Sequence, residues 1–436
     1  MKSYLIRGSA GIFALKVGML LLNMIGGILL ARFLGADGYG VYAYALALVT
    51  LMTIPSVAGL PQLIVRNVAV FQADKSHGLM RGLLIRANQI TFLISLSIIV
   101  IALAGIYFYP VSIDPAKLNT FCIALLLVPL LALKNIRLAA LKGLRRVILG
   151  NLPEMLVRPV LFVCMIGGAV FFLPNGLTPE TTMVFQVTAT AVAFALGIVF
   201  LVWSLPSEAK HAVPYYETRI WLKSGFYFMF MSAMFQVNSQ TDLVMLGIFR
   251  ESSDVGVYKA VVHASNLMIF ILQAVNMALA PAIANMYATG DMKKLQRMLT
   301  LSVRAVLLIT APIGLILVFG GKWLLGTLFG PEFAAGFIAL GIICIGQIIR
   351  VAMGSVGTIL SMTGNEKDAA KGVTLAAIIN VVLNVVLIPK YGLNGAATAT
   401  ATSMIAWNTL LAWWVFKKTG LNSAAFKMPY LAKGVS

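Results

Sequence analysis

The sequence predicts an all-α integral membrane protein of about twelve transmembrane helices, arranged as two six-helix bundles that are parallel pseudo-twofold repeats. Three observations carry that expectation. The 436 residues are 60% hydrophobic and only 11% charged, with a mean hydropathy of +0.94, whereas soluble domains carry about 25% charged residues. The basic residues fall overwhelmingly on one side of a twelve-span layout. A short motif also recurs at an interval of nearly half the chain.

The apolar runs place spans at about 9–31, 39–60, 84–109, 117–139, 147–173, 181–204, 220–241, 256–280, 301–319, 336–360, 372–389 and 393–416. Each is near the roughly 20 residues that cross a bilayer as a helix. Turn chemistry separates them at Gly35-Ala36-Asp37-Gly38, Leu173-Pro174-Asn175-Gly176, Gly320-Gly321, Gly330-Pro331 and Thr363-Gly364-Asn365. The seventh run can extend to Phe249, and the eleventh is short. Pro55, Pro129, Pro153, Pro159 and Pro312 lie within runs and are expected to kink them. The first run, Ser9 to Ala31, is too long for the apolar stretch of a cleavable leader. Segments 61–86 and 286–304 are basic and partly amphipathic, and read as interfacial helices. The domains expected are an amino-terminal bundle (1–212), a carboxyl-terminal bundle (213–416) and a basic tail (417–436). Cys122, Cys164 and Cys344 lie in apolar runs without a Cys/His cluster, so no disulfide framework, metal or cofactor is expected.

In the twelve-span layout, the amino terminus, every second loop and the carboxyl terminus share one side. That side holds 24 Lys and Arg residues, among them Lys134, Arg137 and Lys142, against five on the other: Arg32, Lys117, Arg250, Lys322 and Lys390. The remaining four, Lys16, Arg158, Lys259 and Arg350, lie within spans. The asymmetry places both termini in the cytoplasm by the positive-inside rule. It also accounts for most of the net charge of +19. Anionic lipid is the expected partner of these loops rather than nucleic acid, for which no aromatic and basic platform is present.

Gly40-Val41-Tyr42 recurs as Gly256-Val257-Tyr258, 216 residues on, each at the start of the second helix of its half. Gly143 and Gly364, 221 residues apart, each precede the fifth helix of their half. Six helices per half bring both halves into the membrane the same way round. Such repeats commonly frame a substrate cavity between them, so a transporter is the leading class.

A charge within a span costs at least a few kcal/mol and normally faces protein or water. Ser9, Lys16 and Asn23 share one stripe of the first span, and Lys259, His263, Asn266 and Gln273 share one of the eighth. Asn151, Glu154 and Arg158 share a face of the fifth, where Glu154 and Arg158 can simply pair at i,i+4. The tenth carries Gln347, Arg350 and Gly354; the seventh carries Gln236, Asn238, Gln240 and Asp242 near its outer end. Asp242 can hold the helix end or pair with a lysine across a cavity. Lys16 and Lys259 each have a bland alternative, snorkelling to the membrane surface. A lining of such cations suits a phosphate or diphosphate cargo.

Several of these stretches resemble the Wzx-type polysaccharide flippases. Ala31-Arg32-Phe33-Leu34-Gly35 through Tyr42 is similar to the opening motif of that family, and Gly59-Leu60-Pro61-Gln62 with Arg66-Asn67 to the end of its second helix. Thr241-Asp242 through Gly247, with Asp254 through Tyr258, resembles its centre; Leu328 through Phe333 and Tyr391 through Ala397 resemble later landmarks. The resemblance implies the V-shaped two-bundle fold shared with multidrug extruders. It also implies a bacterial inner-membrane flippase, not an enzyme, that moves undecaprenyl-diphosphate-linked oligosaccharide units for O-antigen, capsule or exopolysaccharide synthesis. A polymerase and other assembly proteins of the pathway would be its partners. The family's cationic cavity maps best onto Lys16, Lys259 and Arg350, and after them onto Arg32 and Arg158. Asn23, Gln236, Gln240, His263 and Asn266 are candidate polar lining; Asp242, Glu154 and His263 are candidate coupling groups.

Three other classes compete, and the polar stripes on several helices argue against one of them, a non-transporting membrane scaffold. A drug or cation antiporter of the same fold wants buried carboxylates, and here the embedded bases outnumber the acids. A glycan polymerase wants a sizeable outer loop with paired carboxylates, and the outer loops are short.

Overall fold

The computed structural model describes residues 2–108, 114–172 and 176–426, and the secondary structure among them is helical throughout. The helices are α1 (Lys2–Val57), α2 (Leu60–Ala73), α3 (His77–Phe108), α4 (Pro115–Leu125), α5 (Leu127–Gly143), α6 (Val147–Leu152), α7 (Arg158–Phe172), α8 (Pro179–Ser204), α9 (Ser207–His211), α10 (Thr218–Phe249), α11 (Ser252–Ala288), α12 (Met292–Leu328), α13 (Phe337–Met353), α14 (Val356–Met362) and α15 (Glu366–Thr419). Among the described residues, nine stretches are long and apolar enough to cross a membrane. Two of them, α1 and α15, are broken at a glycine and supply two spans each. With the 32-residue α10, the expected twelve are accounted for.

The breaks are sharper than the loops the sequence suggests. Gly35 (φ 68°) parts α1, and Gly392 (φ 53°) parts α15. Both lie in the left-handed region, which favours glycine. A Cβ on Gly395 would fall 2.3 Å from the Leu387 carbonyl oxygen. Eight residues of continuous helix would separate those positions by about 12 Å, so the chain folds back on itself there. Gly320-Gly321, expected to end a span, does not: α12 runs on to Leu328. Gly321 serves packing instead, since a Cβ there would come within 3.1 Å of Leu340 Cδ2. The turn is made by Gly330 (φ 131°). The eleventh span is longer than expected, from Glu366 to the Gly392 break, and the seventh does reach Phe249.

Proline effects are local. Pro153 opens a single π-helical turn, Pro153–Val157, between α6 and α7. Pro129 lies just after the Leu126 break between α4 and α5. Segment 61–86 is not one interfacial helix. Leu60, Leu63, Ile64 and Val68 of α2 are buried in the bundle, and the chain turns at Asp74 before α3. Segment 286–304 is likewise the end of α11, a turn, and the start of α12.

The chain separates into two compact units, Met1–Gln236 and Val237–Ser436, with the division inside α10. The turns of the two units correspond. Lys75 (φ 54°) and Gly290 (φ 73°) are each followed by an N–H that bonds five residues back, Ser76 to Phe71 and Asp291 to Met286. Arg145 (φ 61°) and Gly364 (φ 77°) behave alike, with Arg146 bonding Leu141 and Asn365 bonding Leu360. This helix-ending geometry wants glycine at the left-handed position. The equivalent of Gly364 is therefore Arg145, not Gly143, as the sequence suggests. Gly143 is small because α5 packs on α2: a Cβ would meet Val68 Cβ at 2.8 Å.

After α15, Gly420 (φ 70°) turns the chain into a short strap over unit 2, where Leu421, Ser423, Ala424 and Ala425 are buried. The Asn422 N–H donates to Gln296 Oε1, and Gln296 Nε2 donates to the Asn422 carbonyl, both at 2.8 Å. The Ala425 N–H donates to the Ala352 carbonyl, and Arg304 Nε to the Ala425 carbonyl. Gly354 (φ 81°), between α13 and α14, leaves no room for a side chain there: a Cβ would lie 2.2 Å from the Ser423 carbonyl oxygen. Lys427 and Lys433 of the expected basic tail, and Leu173 to Asn175, lie outside the described residues.

A left-handed non-glycine residue costs on the order of 1 kcal/mol. Lys75→Gly is therefore expected to raise the thermal unfolding midpoint of the detergent-solubilised protein, and Gly290→Lys to lower it.

Candidate functional site

In unit 1 the charged centre is Glu154, carried inward by the π-turn. Its Oε1 accepts from Arg137 Nη2 at 3.2 Å, and its Oε2 accepts from Lys134 Nζ at 3.3 Å. Arg158 Nε stands 3.8 Å from Oε2. The i,i+4 pair expected from sequence is thus present but is the longest of three. Lys134 and Arg137 are not loop residues; they lie one turn apart on α5, and Arg137 is only 2% exposed. Arg137 Nη1 also donates to the carbonyls of Ala193 and Phe194 on α8. Gly197 makes that possible, since a Cβ there would sit 1.7 Å from Nη1. Three cations share one carboxylate, so the centre stays net positive. Tyr42 of the repeated motif lies within electrostatic range of Arg158, stacks on Phe162, and donates to Gln186 Oε1.

The adjoining face of α5 presents Asn135, Leu138, Ala139 and Lys142 at helical spacing. It forms one wall of a cavity of about 330 Å³ whose other walls are the end of α1, α2 and the middle of α10, including Gln236. Lys16 lies on α1, part-buried and within electrostatic range of Lys142. Asn23 is part-buried seven residues further along, while the side chain of Ser9, at the head of that stripe, lies outside the described residues. Arg32 is exposed, three residues before the Gly35 break.

In unit 2 the centre is Asp242, 6% exposed. Its Oδ2 accepts from Tyr258 Oη (2.8 Å) and Thr400 Oγ1; its Oδ1 accepts from Asn384 Nδ2 (2.7 Å) and Asn380 Nδ2 (3.2 Å). Asn384 Nδ2 also donates to Asn380 Oδ1. The four donors are neutral, so Asp242 pairs with no lysine among the described residues. Gln240, two residues before, has its amide only 3.4 Å from Ser239 Oγ.

Lys259 and His263 stand one turn apart on α11, part-buried and within electrostatic range of each other, with Asn266 a further turn on. Arg350 ends α13 and directs Nη1 at Met404 Sδ, 3.9 Å away. Among the described residues, no carboxylate lies within ion-pair distance of Lys16, Lys259 or Arg350.

Sequence reasoning missed Lys134 and Arg137, which a charge count assigns to a loop. It also missed Gly197 and the Asn380/Asn384 pair. The last was findable: two asparagines four apart in an apolar run share one buried face.

Removing one partner of a buried charge cluster costs about 3–5 kcal/mol. Glu154→Gln and Gly197→Ala are both expected to lower the unfolding midpoint. The double variant should lose far less than the sum of the two, because each breaks the same Arg137 contacts.

Residues 5–287 match the polysaccharide biosynthesis protein family, and residues 228–386 match the MatE family. The chain is 26% identical, over 93% of its length and 82% of the relative's, to the "probable low-salt glycan biosynthesis flippase Agl15" of Haloferax volcanii. Its fold is similar to an inward-facing multidrug-resistance transporter of the MATE family (TM-score 0.74, 12% identity, 92% of this chain and 96% of the other). It is also similar to lipid II flippase MurJ in an inward closed conformation (TM-score 0.72, 15% identity, 93% and 87%). The fold is therefore the one these transporters share, and the length of the first match shows that the chain belongs to the polysaccharide biosynthesis protein family.

Proposed function

We propose that this protein flips lipid-linked glycan units across the cytoplasmic membrane, with both termini inside and by alternating access. The cargo is an oligosaccharide on a polyprenyl diphosphate, undecaprenyl diphosphate in a bacterial host, for use in a surface polysaccharide. Family membership and the likeness to Agl15 support the class of activity. The observation that carries the cargo's chemistry is the excess of embedded positive charge. Glu154 compensates three cations only in part, while Lys16, Lys259 and Arg350 have no carboxylate within ion-pair distance among the described residues. An unpaired cation in an apolar bundle is costly unless an anion joins it. A diphosphate brings that anion and is itself relieved of the cost of leaving water.

Lys16, Lys259 and Arg350 are the substrate-binding cations of this reading, with Arg158 and Arg32 behind them. Asn23, Gln236, Gln240, His263 and Asn266 supply hydrogen bonds to phosphate or sugar. A drug antiporter of the same fold would need carboxylates turned to the cargo. Glu154 and Asp242 are already engaged, by cations and by hydrogen-bond donors respectively.

Of the candidate coupling groups, Asp242 suits the role best. Glu154 is already engaged by Lys134, Arg137 and Arg158. Asp242 is a lone carboxylate among neutral groups, so a proton or a cation bound there changes the local charge outright.

In proteoliposomes with a labelled polyprenyl-diphosphate glycan, Lys16→Ala, Lys259→Ala and Arg350→Ala are each expected to slow flipping at least tenfold; rates equal to the parent's would remove the cationic-cavity reading. Asp242→Asn should abolish acceleration by an imposed proton or sodium gradient while leaving glycan-lipid binding intact. Acceleration that persists in that variant would exclude Asp242 as the coupling group.

A further inference from the structure

Asp242 stands on α10 and draws its donors from two other helices, Tyr258 from α11 and Asn380, Asn384 and Thr400 from α15. These helices turn at two corners. α10 passes into α11 at Arg250, eight residues after Asp242 and eight before Tyr258. α15 breaks at Gly392, eight residues after Asn384 and eight before Thr400. Eight residues of helix rise about 12 Å, so both corners stand about two turns from the carboxyl.

Arg250 joins the two corners. Its Nε donates to the Ile388 carbonyl at 3.2 Å, and its Nη2 donates to the Pro389 carbonyl at 2.7 Å. Carbonyls at the end of a helix lack the N–H groups of a following turn, and a cation there also meets the negative end of the helix dipole. Gly392 lies against this contact: a Cβ on it would come 3.4 Å from Arg250 Nε and 3.6 Å from Asp254 Oδ2. Asp254, in the first turn of α11, is within electrostatic range of the guanidinium. Arg250 itself is exposed, so truncating its side chain opens no cavity in the bundle.

The clamp and the carboxyl occur in the same half. Carried back by the 216 residues of the repeat, Tyr258 falls on Tyr42, but Asp242, Arg250 and Asp254 fall on Gly26, Leu34 and Gly38. Unit 1 has neither the carboxyl nor the guanidinium at these positions.

We infer that Arg250 is a positioning residue for Asp242. By fastening the α10–α11 corner to the break in α15, it keeps the carboxyl in register with Asn380, Asn384 and Thr400; a slip of α15 along α10 would withdraw all three donors together. The inference rests on the reading of Asp242 as the coupling group and adds the residue that sets its geometry.

The test uses the purified full chain in nanodiscs and a membrane-soluble carbodiimide, which modifies protonated carboxyl groups. Labelling of Asp242 and of Glu154 is read separately by mass spectrometry. Arg250→Gln is expected to speed Asp242 labelling at least tenfold and to leave Glu154 at the parent rate. Gly392→Ala, which crowds the same contact from α15, should act in the same direction. Arg250→Lys, whose ammonium carries three donors for the two carbonyls, should hold Asp242 near the parent rate. Asn422→Ala, in the strap, controls for a general loss of stability and should leave Asp242 labelling unchanged. Parent-like labelling of Asp242 in both Arg250→Gln and Gly392→Ala, or an equal rise at Glu154, would overturn the inference. A rise confined to Asp242, in a protein whose Asp242→Asn variant still responds to a proton or sodium gradient, would keep the role of Arg250 and remove the coupling reading.

Discussion

A charge inside a bundle of membrane-spanning helices has to find its solvation within the bundle. The two units meet that constraint in opposite ways. Unit 1 gathers Lys134, Arg137 and Arg158 around Glu154, so three helical segments are tied through one carboxylate. Unit 2 surrounds Asp242 with the phenol of Tyr258, the hydroxyl of Thr400 and two asparagine amides. One is a charge cluster with surplus positive charge; the other is a lone carboxyl group in a shell of neutral donors.

The geometry of each centre depends on small departures from ideal helix. The π-turn at Pro153–Val157 re-aims Glu154 toward α5, and Gly197 opens the space that the Arg137 guanidinium fills. In unit 2, Asn380 and Asn384 reach the same carboxylate because they stand one turn apart on α15. None of these features adds apolar area; each gives a buried polar group its partner. That accords with membrane interiors, where the hydrophobic effect no longer drives helices together and polar contacts and close packing decide their register.

The spans were legible because hydropathy and length are properties of one segment at a time, so the windows around 84–109 or 181–204 need no knowledge of neighbours. The repeat was legible at Gly-Val-Tyr because both tyrosines are buried and hydrogen-bonded in their own units, which constrains the residue type. It was misread at Gly143 because a glycine kept small for packing looks, in sequence, like one kept for its φ angle. Arg145 carries the left-handed turn without glycine's signature. The same limit applied to Gly320-Gly321. The charged centre was half legible: Glu154 and Arg158 announce themselves at i,i+4. Lys134 and Arg137, however, enter only through tertiary packing of α5 on α8. A count of basic residues per loop has no means of seeing that.

The strap after α15 has a consequence for biogenesis. Gln296, Ala352 and Gly354 wait for Asn422, Ser423 and Ala425 to close the seam between α12 and α13. Those strap residues are translated after every helix of unit 2. Until the strap is made, the Ala352 carbonyl and the side chains of Gln296 and Arg304 lack these partners, although all the spans of unit 2 have already been made. Unit 2 is thus finished from its last-made end, as a bag is finished by its drawstring. A chain cut just past α15 would keep every span of unit 2 and lose only the contacts that Asn422, Ser423 and Ala425 make.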